Sequence, residues 1–192
     1  MIQESDRKDV MNILYQLVNG QAYSLLDVGC GLFSHVEGFE CPVIVGVDAH
    51  RPYLANRVNR SPHLIPIWAD ATQLNAFLMP KSFSMALFND SLEHFSKQNG
   101  LKLLAMAEEI AVKRVIVFTP RGYFKQAGYD YYNMQGETHQ EHRSGWEAEE
   151  LEELGYQVLI LKGLHDRTNL SFVKSYGVDH PPIDALIAWK DL

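Results

Sequence analysis

Apolar positions along this chain follow two periods that alternate from one end to the other. Val10, Ile13, Leu14, Leu17 and Val18 share one side of a helical period, and Gly20 stands where such a helix stops. A strand follows at Ser24–Val28, then a glycine turn and a short helix expected around Phe33–Glu37. Pro42–Asp48, PVIVGVD, is a continuous apolar run of the kind found in a strand covered on both faces. Pro52–Asn59 reads as a helix, His63–Asp70 as a third strand and Ser82–Asp90 as a fourth. From Ser96 to about Val112 a helix is expected, its apolar face holding Leu101, Leu104 and Ile110. Arg114–Pro120 is a fifth strand. Ser144 and Glu147 form a capping-box pattern that opens a further helix. Tyr156–Gly163 and Ile183–Lys190 complete the strands, with a long irregular link between them.

Strands that alternate with helices predict an α/β fold: a doubly wound, mostly parallel sheet with helices on both faces. The last two strands lack a helix between them, which predicts an antiparallel pairing at the sheet edge. The chain of 192 residues, 46% hydrophobic, is read as a single domain over 1–192. Its formal charge of −7, with no run of basic residues, argues against a nucleic-acid partner. The charged start and the lack of a long apolar stretch predict no membrane insertion. Cys30 and Cys41 have no metal or redox spacing and read as reduced thiols, which suits a cytoplasmic protein.

Ligands in open sheets of this kind bind beyond the carboxyl ends of the strands. Four loops meet there: Gly29–Ser34, Asp48–Arg51, Asp70–Thr72 and Asn89–His94. Gly29-Cys30-Gly31 lets the backbone approach a ligand closely, and the helix expected next would aim amide donors at it. Asp48 ends the second strand, where a carboxylate accepts hydrogen bonds from both hydroxyls of a ribose. Nicotinamide-binding folds share that feature. Asp70 after the third strand suits an adenine amine, and Asn89-Asp90 end the fourth.

With these residues in place, the sequence resembles the class I S-adenosylmethionine-dependent methyltransferases. LLDVGCG is similar to their glycine motif, VGVDAH to their ribose acid, IWADATQL to their adenine-side motif and SFSMALFNDSLEHF to their fourth strand. The resemblance covers roughly Leu25–Val158. It implies a seven-stranded sheet with the last strand antiparallel, and S-adenosylmethionine as cofactor. It also implies that Asp27, Gly29, Cys30 and Gly31 hold the methionine end, Asp48 and Ala49 the ribose, Asp70 and Ala71 the adenine, while Asn89 and Asp90 line the pocket. The family often has a third glycine where this chain has Phe33, whose ring is expected to turn inward and pack.

The cofactor carries the activated methyl group, so the protein must align an acceptor and, for a hydroxyl acceptor, remove a proton. On a helical turn Asp90, Glu93 and His94 share one face, and His94 is a candidate general base. No metal is expected, but Asp90, Glu93 and His94 are the side chains that would ligate one. Pro120–Arg143 shows no periodicity and carries Tyr123, Phe124, Tyr129, Tyr131 and Tyr132, as a lid over an acceptor would. His142-Arg143-Ser144-Gly145-Trp146 resembles a signature in a subgroup of bacterial and archaeal methyltransferases, as does Thr119–Gly122 with Gln126. His142 is therefore the second catalytic candidate. The resulting reading is methyl transfer to an oxygen of a small-molecule or saccharide acceptor. A catalytically silent S-adenosylmethionine-binding regulatory module and a NAD-dependent oxidoreductase are the alternatives.

Overall fold

The computed structural model describes all residues, Met1–Leu192. In chain order the elements are β1 (Ile2–Ser5), α1 (Val10–Val18), β2 (Ser24–Val28), β3 (Val43–Asp48), α2 (Arg51–Ala55), β4 (Leu64–Trp68), α3 (Leu74–Phe77), β5 (Phe83–Asn89), α4 (Lys97–Ile110), β6 (Ala111–Pro120), α5 (Ala148–Glu153), β7 (Gln157–His165), α6 (Leu170–Tyr176) and β8 (Ile183–Asp191). The eight strands form one sheet in the order β1-β7-β8-β6-β5-β2-β3-β4. All pairings are parallel except those of β8, which runs antiparallel to both β6 and β7. No helix is long and apolar enough to cross a membrane.

Period-two alternation divides the strand side chains between two cores. Ala86 and Phe88 of β5 with Val115 and Val117 of β6 face the α4 and α5 side, where Leu103, Leu104, Ala107, Ile110 and Leu151 meet them. Met85, Leu87, Ile116 and Phe118 point the other way, onto Ile13, Leu14 and Val18 of α1 and Leu54 of α2. Both faces of the central strands are dry, which is why they read as unbroken apolar runs.

The mostly parallel α/β layout matches the sequence reading, with five corrections. The sheet has eight strands rather than seven. The extra one, β1, is too polar to signal itself, and main-chain pairing with β7 places it. That strand also covers β7, so the antiparallel β7–β8 pair lies inside the sheet and not at its edge. The helix expected at Phe33–Glu37 is replaced by turns, because Phe33 adopts a left-handed φ of 56° and breaks the helical path. The capping box sits at Glu147 and Glu150, whereas Ser144 accepts a hydrogen bond from the indole of Trp146. Finally, Leu101 of α4 is exposed, and α4's buried leucines are Leu103 and Leu104.

Two boundaries also shift. α2 ends at Ala55, where Asn56 turns its side-chain amide back to the Pro52 carbonyl. Part of the link before β8 forms α6, capped by the Asn169 side chain accepting from the Phe172 amide.

Phe33 packs inward as expected. Its ring is buried and occupies the space that a side chain at Gly46 of β3 would fill. Deleting it leaves a cavity under the glycine loop. Phe33→Ala is therefore expected to lower folding stability by about 3–5 kcal/mol in urea unfolding; a loss under 1 kcal/mol would show that the loop collapses onto the gap.

Candidate active site

Parallel pairing brings the carboxyl ends of β2, β3, β4 and β5 to one side, around a cleft of about 930 Å³. Asp48, closing β3, ties two of its walls together. One carboxylate oxygen accepts the Gly31 amide at 2.9 Å and the other the His50 amide at 2.7 Å. Each oxygen keeps a further lone pair, so the group can still accept from a ligand diol.

The glycine loop works differently from the sequence expectation. The Gly29 and Cys30 amides both donate to the Val47 carbonyl, and the Gly31 amide is held by Asp48. With no helix following, the loop offers the cleft shape rather than a row of amide donors. A Cβ on Gly29 would lie 2.7 Å from the Ser91 Cβ, so that glycine admits a neighbouring turn of the protein itself. Gly31, with φ of 52°, has nothing within 4 Å of a Cβ position and leaves open space beside the cleft.

Asp27 lines the cleft and is buried, with Oδ1 accepting no hydrogen bond. Burial, reinforced by the negative charge of Asp48, pushes its carboxyl up to about 7. The neighbouring Cys30 thiol is pushed well up by burial and by Asp27 and Asp48, and is no nucleophile. Farther along the cleft, Asp70 accepts the Thr72 amide and caps the turn that begins at Ala71. Asn89 is the last residue of β5, and Asp90 follows with φ of 55°.

That reversal at Asp90 starts a tight turn locked from below, where Ser91 donates to the Val28 carbonyl at 2.6 Å. Glu93 is buried beneath it and accepts from the Thr119 hydroxyl through one oxygen, while Oε1 has no partner. Burial first, then Asp90, raises the Glu93 carboxyl well above the ordinary range. His94 lines the cleft with Nδ1 against the Glu141 carbonyl; burial lowers its pKa. His142 has Nδ1 against the Phe124 carbonyl and is lowered to about 4, by burial and then by His94. A carbonyl can only accept, so both rings carry their proton on Nδ1 and present a lone pair at Nε2.

All ten cofactor candidates, from Asp27 to Asp90, line the one cleft with His94. Glu93 and His142 do not. His142 lines a smaller cavity of about 40 Å³ with Asp90, Phe124 and His165. The non-periodic segment after β6 forms a wall of the main cleft through Gln126, Tyr131, Tyr132, Thr138, His139, Gln140 and Arg143. Its Phe124 is buried instead among Phe172, Tyr176 and His165, so this aromatic is packing. Tyr53 was not singled out in the sequence, and Thr119 only as the first residue of the Thr119–Gly122 signature, not as a partner of Glu93. Tyr53 is an inward residue of α2 packed against Tyr132, and in that role Thr119 is signalled only by its place one residue before the strand ends.

No family model matches the chain, and no curated protein does. Solved structures do. The N-methyltransferase NodS from Bradyrhizobium japonicum is similar with a TM-score of 0.63 and 13% identity, over 96% of this chain and 93% of that one. A SAM-dependent methyltransferase from Archaeoglobus fulgidus gives 0.59 at 19% identity, over 95% and 92%. The plantazolicin methyltransferase BamL, in complex with a triazolic desmethylPZN analog and SAH, gives 0.60 at 12% identity, over 96% and 82%. This is a methyltransferase fold. Within it, the glycine loop and the strand-end acids lie at the carboxyl ends of the parallel strands.

Asp27 makes the cleft sensitive to pH. A carboxyl raised by folding makes the folded state the better proton binder, so stability falls as pH climbs from about 4 to about 7 and then levels. Relative to Asp27→Asn, the wild-type protein is expected to lose about 4 kcal/mol across that range, at about 1.4 kcal/mol per unit. Urea unfolding at several pH values measures this, and parallel profiles for the two proteins would refute it.

Proposed function

We propose that this chain binds S-adenosylmethionine in the 930 Å³ cleft and transfers its methyl group to an oxygen of a small-molecule or saccharide acceptor. The observation that carries the reading is the run of ligand-facing groups delivered by successive strand ends to one continuous cleft. The residues fit the cofactor group by group. The unpartnered Asp27 Oδ1 suits the methionine amino group, whose charge would stabilise the ionised carboxylate. Asp48 retains acceptor capacity for the ribose hydroxyls. Asp70 and Ala71 stand beside the place for adenine, and the space above Gly31 admits the chain between.

When bound, the cofactor supplies an electrophilic sulfonium methyl. The chain's own part is to orient the acceptor, exclude water and take up a proton. His94 is suited to receive that proton, because its Nδ1 is fixed on a carbonyl, its Nε2 lone pair is free, and its lowered pKa keeps it neutral near pH 7. Tyr131, Tyr132, His139 and Arg143 give the acceptor side aromatic faces and donors. A NAD-dependent oxidoreductase would not need Asp70 at the third strand end. The reading includes a cytoplasmic site of action, which suits the free thiols of Cys30 and Cys41.

Titration calorimetry with S-adenosylhomocysteine and, separately, NAD⁺ tests the reading; binding of NAD⁺ alone would overturn it. Asp48→Ala is expected to weaken S-adenosylhomocysteine binding by about 1.5–3 kcal/mol, the range for hydrogen bonds to a charged group. Gly31→Val is expected to abolish it, because a branched side chain at φ of 52° is strained and fills the cleft. Unchanged affinity in a folded Asp48→Ala protein would remove that residue from the site.

A further inference from the structure

We infer that Glu93, His94 and His142 form a binding site for one divalent transition-metal ion on the acceptor side of the cleft. A carboxylate oxygen of Glu93 and a ring nitrogen from each histidine lie within 4.8 Å of one another. Bonds of about 2.0–2.2 Å in a tetrahedral shell put ligand atoms about 3.3–3.6 Å apart, so a closure of up to about 1.5 Å by side-chain rotation completes the site.

Both histidines are anchored through one ring nitrogen. Each histidine spends Nδ1–H on a backbone carbonyl, Glu141 for His94 and Phe124 for His142, which aims the Nε2 lone pair elsewhere. Histidines that ligate metals are held in this way. The rings meet edge to face at a centroid distance of 4.8 Å. Glu93 is only 2% exposed, is held at one oxygen by Thr119, and has its other oxygen orphaned. Glu93 also faces Asp90, which with burial raises its carboxyl, and a cation bound there would replace the proton that otherwise relieves the two acids.

The backbone is built around this meeting. The Glu93 carbonyl accepts the amides of Arg143 at 2.8 Å and Ser144 at 3.1 Å, which carries His142 to the carboxylate from a distant part of the chain. Asp90 lines both the main cleft and the small cavity beside His142, and its charge acts on Glu93, His94 and His142 alike. The set differs from the one expected in the sequence, where Asp90 completed the trio and His142 belonged to the lid.

Two imidazoles with carboxylate suit Zn²⁺, Mn²⁺, Fe²⁺ or Co²⁺ better than Mg²⁺, which prefers an all-oxygen, partly hydrated shell. The role of the ion, though not the site, rests on the methyl-transfer reading. An ion there would polarise an acceptor hydroxyl entering from the cleft, replacing His94 as the group that makes it reactive.

The test is calorimetric titration of chelator-dialysed protein with Zn²⁺, Mn²⁺ and Co²⁺ separately, with the Co²⁺ visible spectrum as a second readout. One ion per chain is expected for at least one metal, with a rise in Tm. Glu93→Gln and His142→Ala should each weaken binding at least tenfold, whereas Asp48→Ala should not. Absence of saturable one-to-one binding, or binding that survives both substitutions, overturns the site. Circular dichroism checks folding, and His142→Ala decides the matter if Glu93→Gln unfolds. S-adenosylhomocysteine is titrated into the same samples. Cofactor binding without metal binding overturns this site alone; metal binding without cofactor binding overturns the methyl-transfer reading and leaves the site standing.

Discussion

The carboxylate of Asp48 is the constraint on which the cleft depends. It receives amides from two different loops, one after β2 and one after β3, so neither can move without breaking a charge-assisted hydrogen bond. Parallel register makes this possible. Val28 stands opposite Val47, whose carbonyl then takes the next two amides of the glycine loop. The same carboxylate acts on Asp27 through space and helps hold a second acid close to neutrality. One strand-end acid thus shapes this end of the cleft and adds to the burial that raises Asp27.

The opposite wall holds only one short 3₁₀ turn, Glu137–His139, and is ordered by particular side chains. Gln126 donates to the Gln140 carbonyl, Tyr123 to that of His142, and Asp130 accepts the amides of Met134 and Gln135. Phe124 anchors the segment in the aromatic cluster beside α6, and the Glu93 carbonyl fixes its far end. Such a wall is specific where it is pinned and free to vary between the pins, which suits recognition of an acceptor.

The central strands were legible in the sequence because short apolar runs that end in Asp48, Asp70 and Asn89 are what a buried parallel sheet with a polar rim requires. The strand-end half of the cleft came with them, since topology alone gathers strand ends. The rest was hidden for identifiable reasons. β1 is held by main-chain pairing that side chains do not announce, and α6 carries few buried positions. The purpose of Gly29 lies in Ser91, which arrives from another strand's end. The approach of His142 to Glu93 depends on a segment far along the chain folding back, and no local spacing encodes it.

The place of β8 has a consequence for how the chain is made. It sits between β6 and β7, so β7 has no route to the parallel half of the sheet until β8 exists. During synthesis at about 5–20 residues per second, β6 therefore emerges with one edge unpaired and waits several seconds for Ile183–Asp191. Through that interval its run Val115–Phe118, fully apolar, is a template for any other strand. The nascent protein is consequently more vulnerable to misassembly than the finished one.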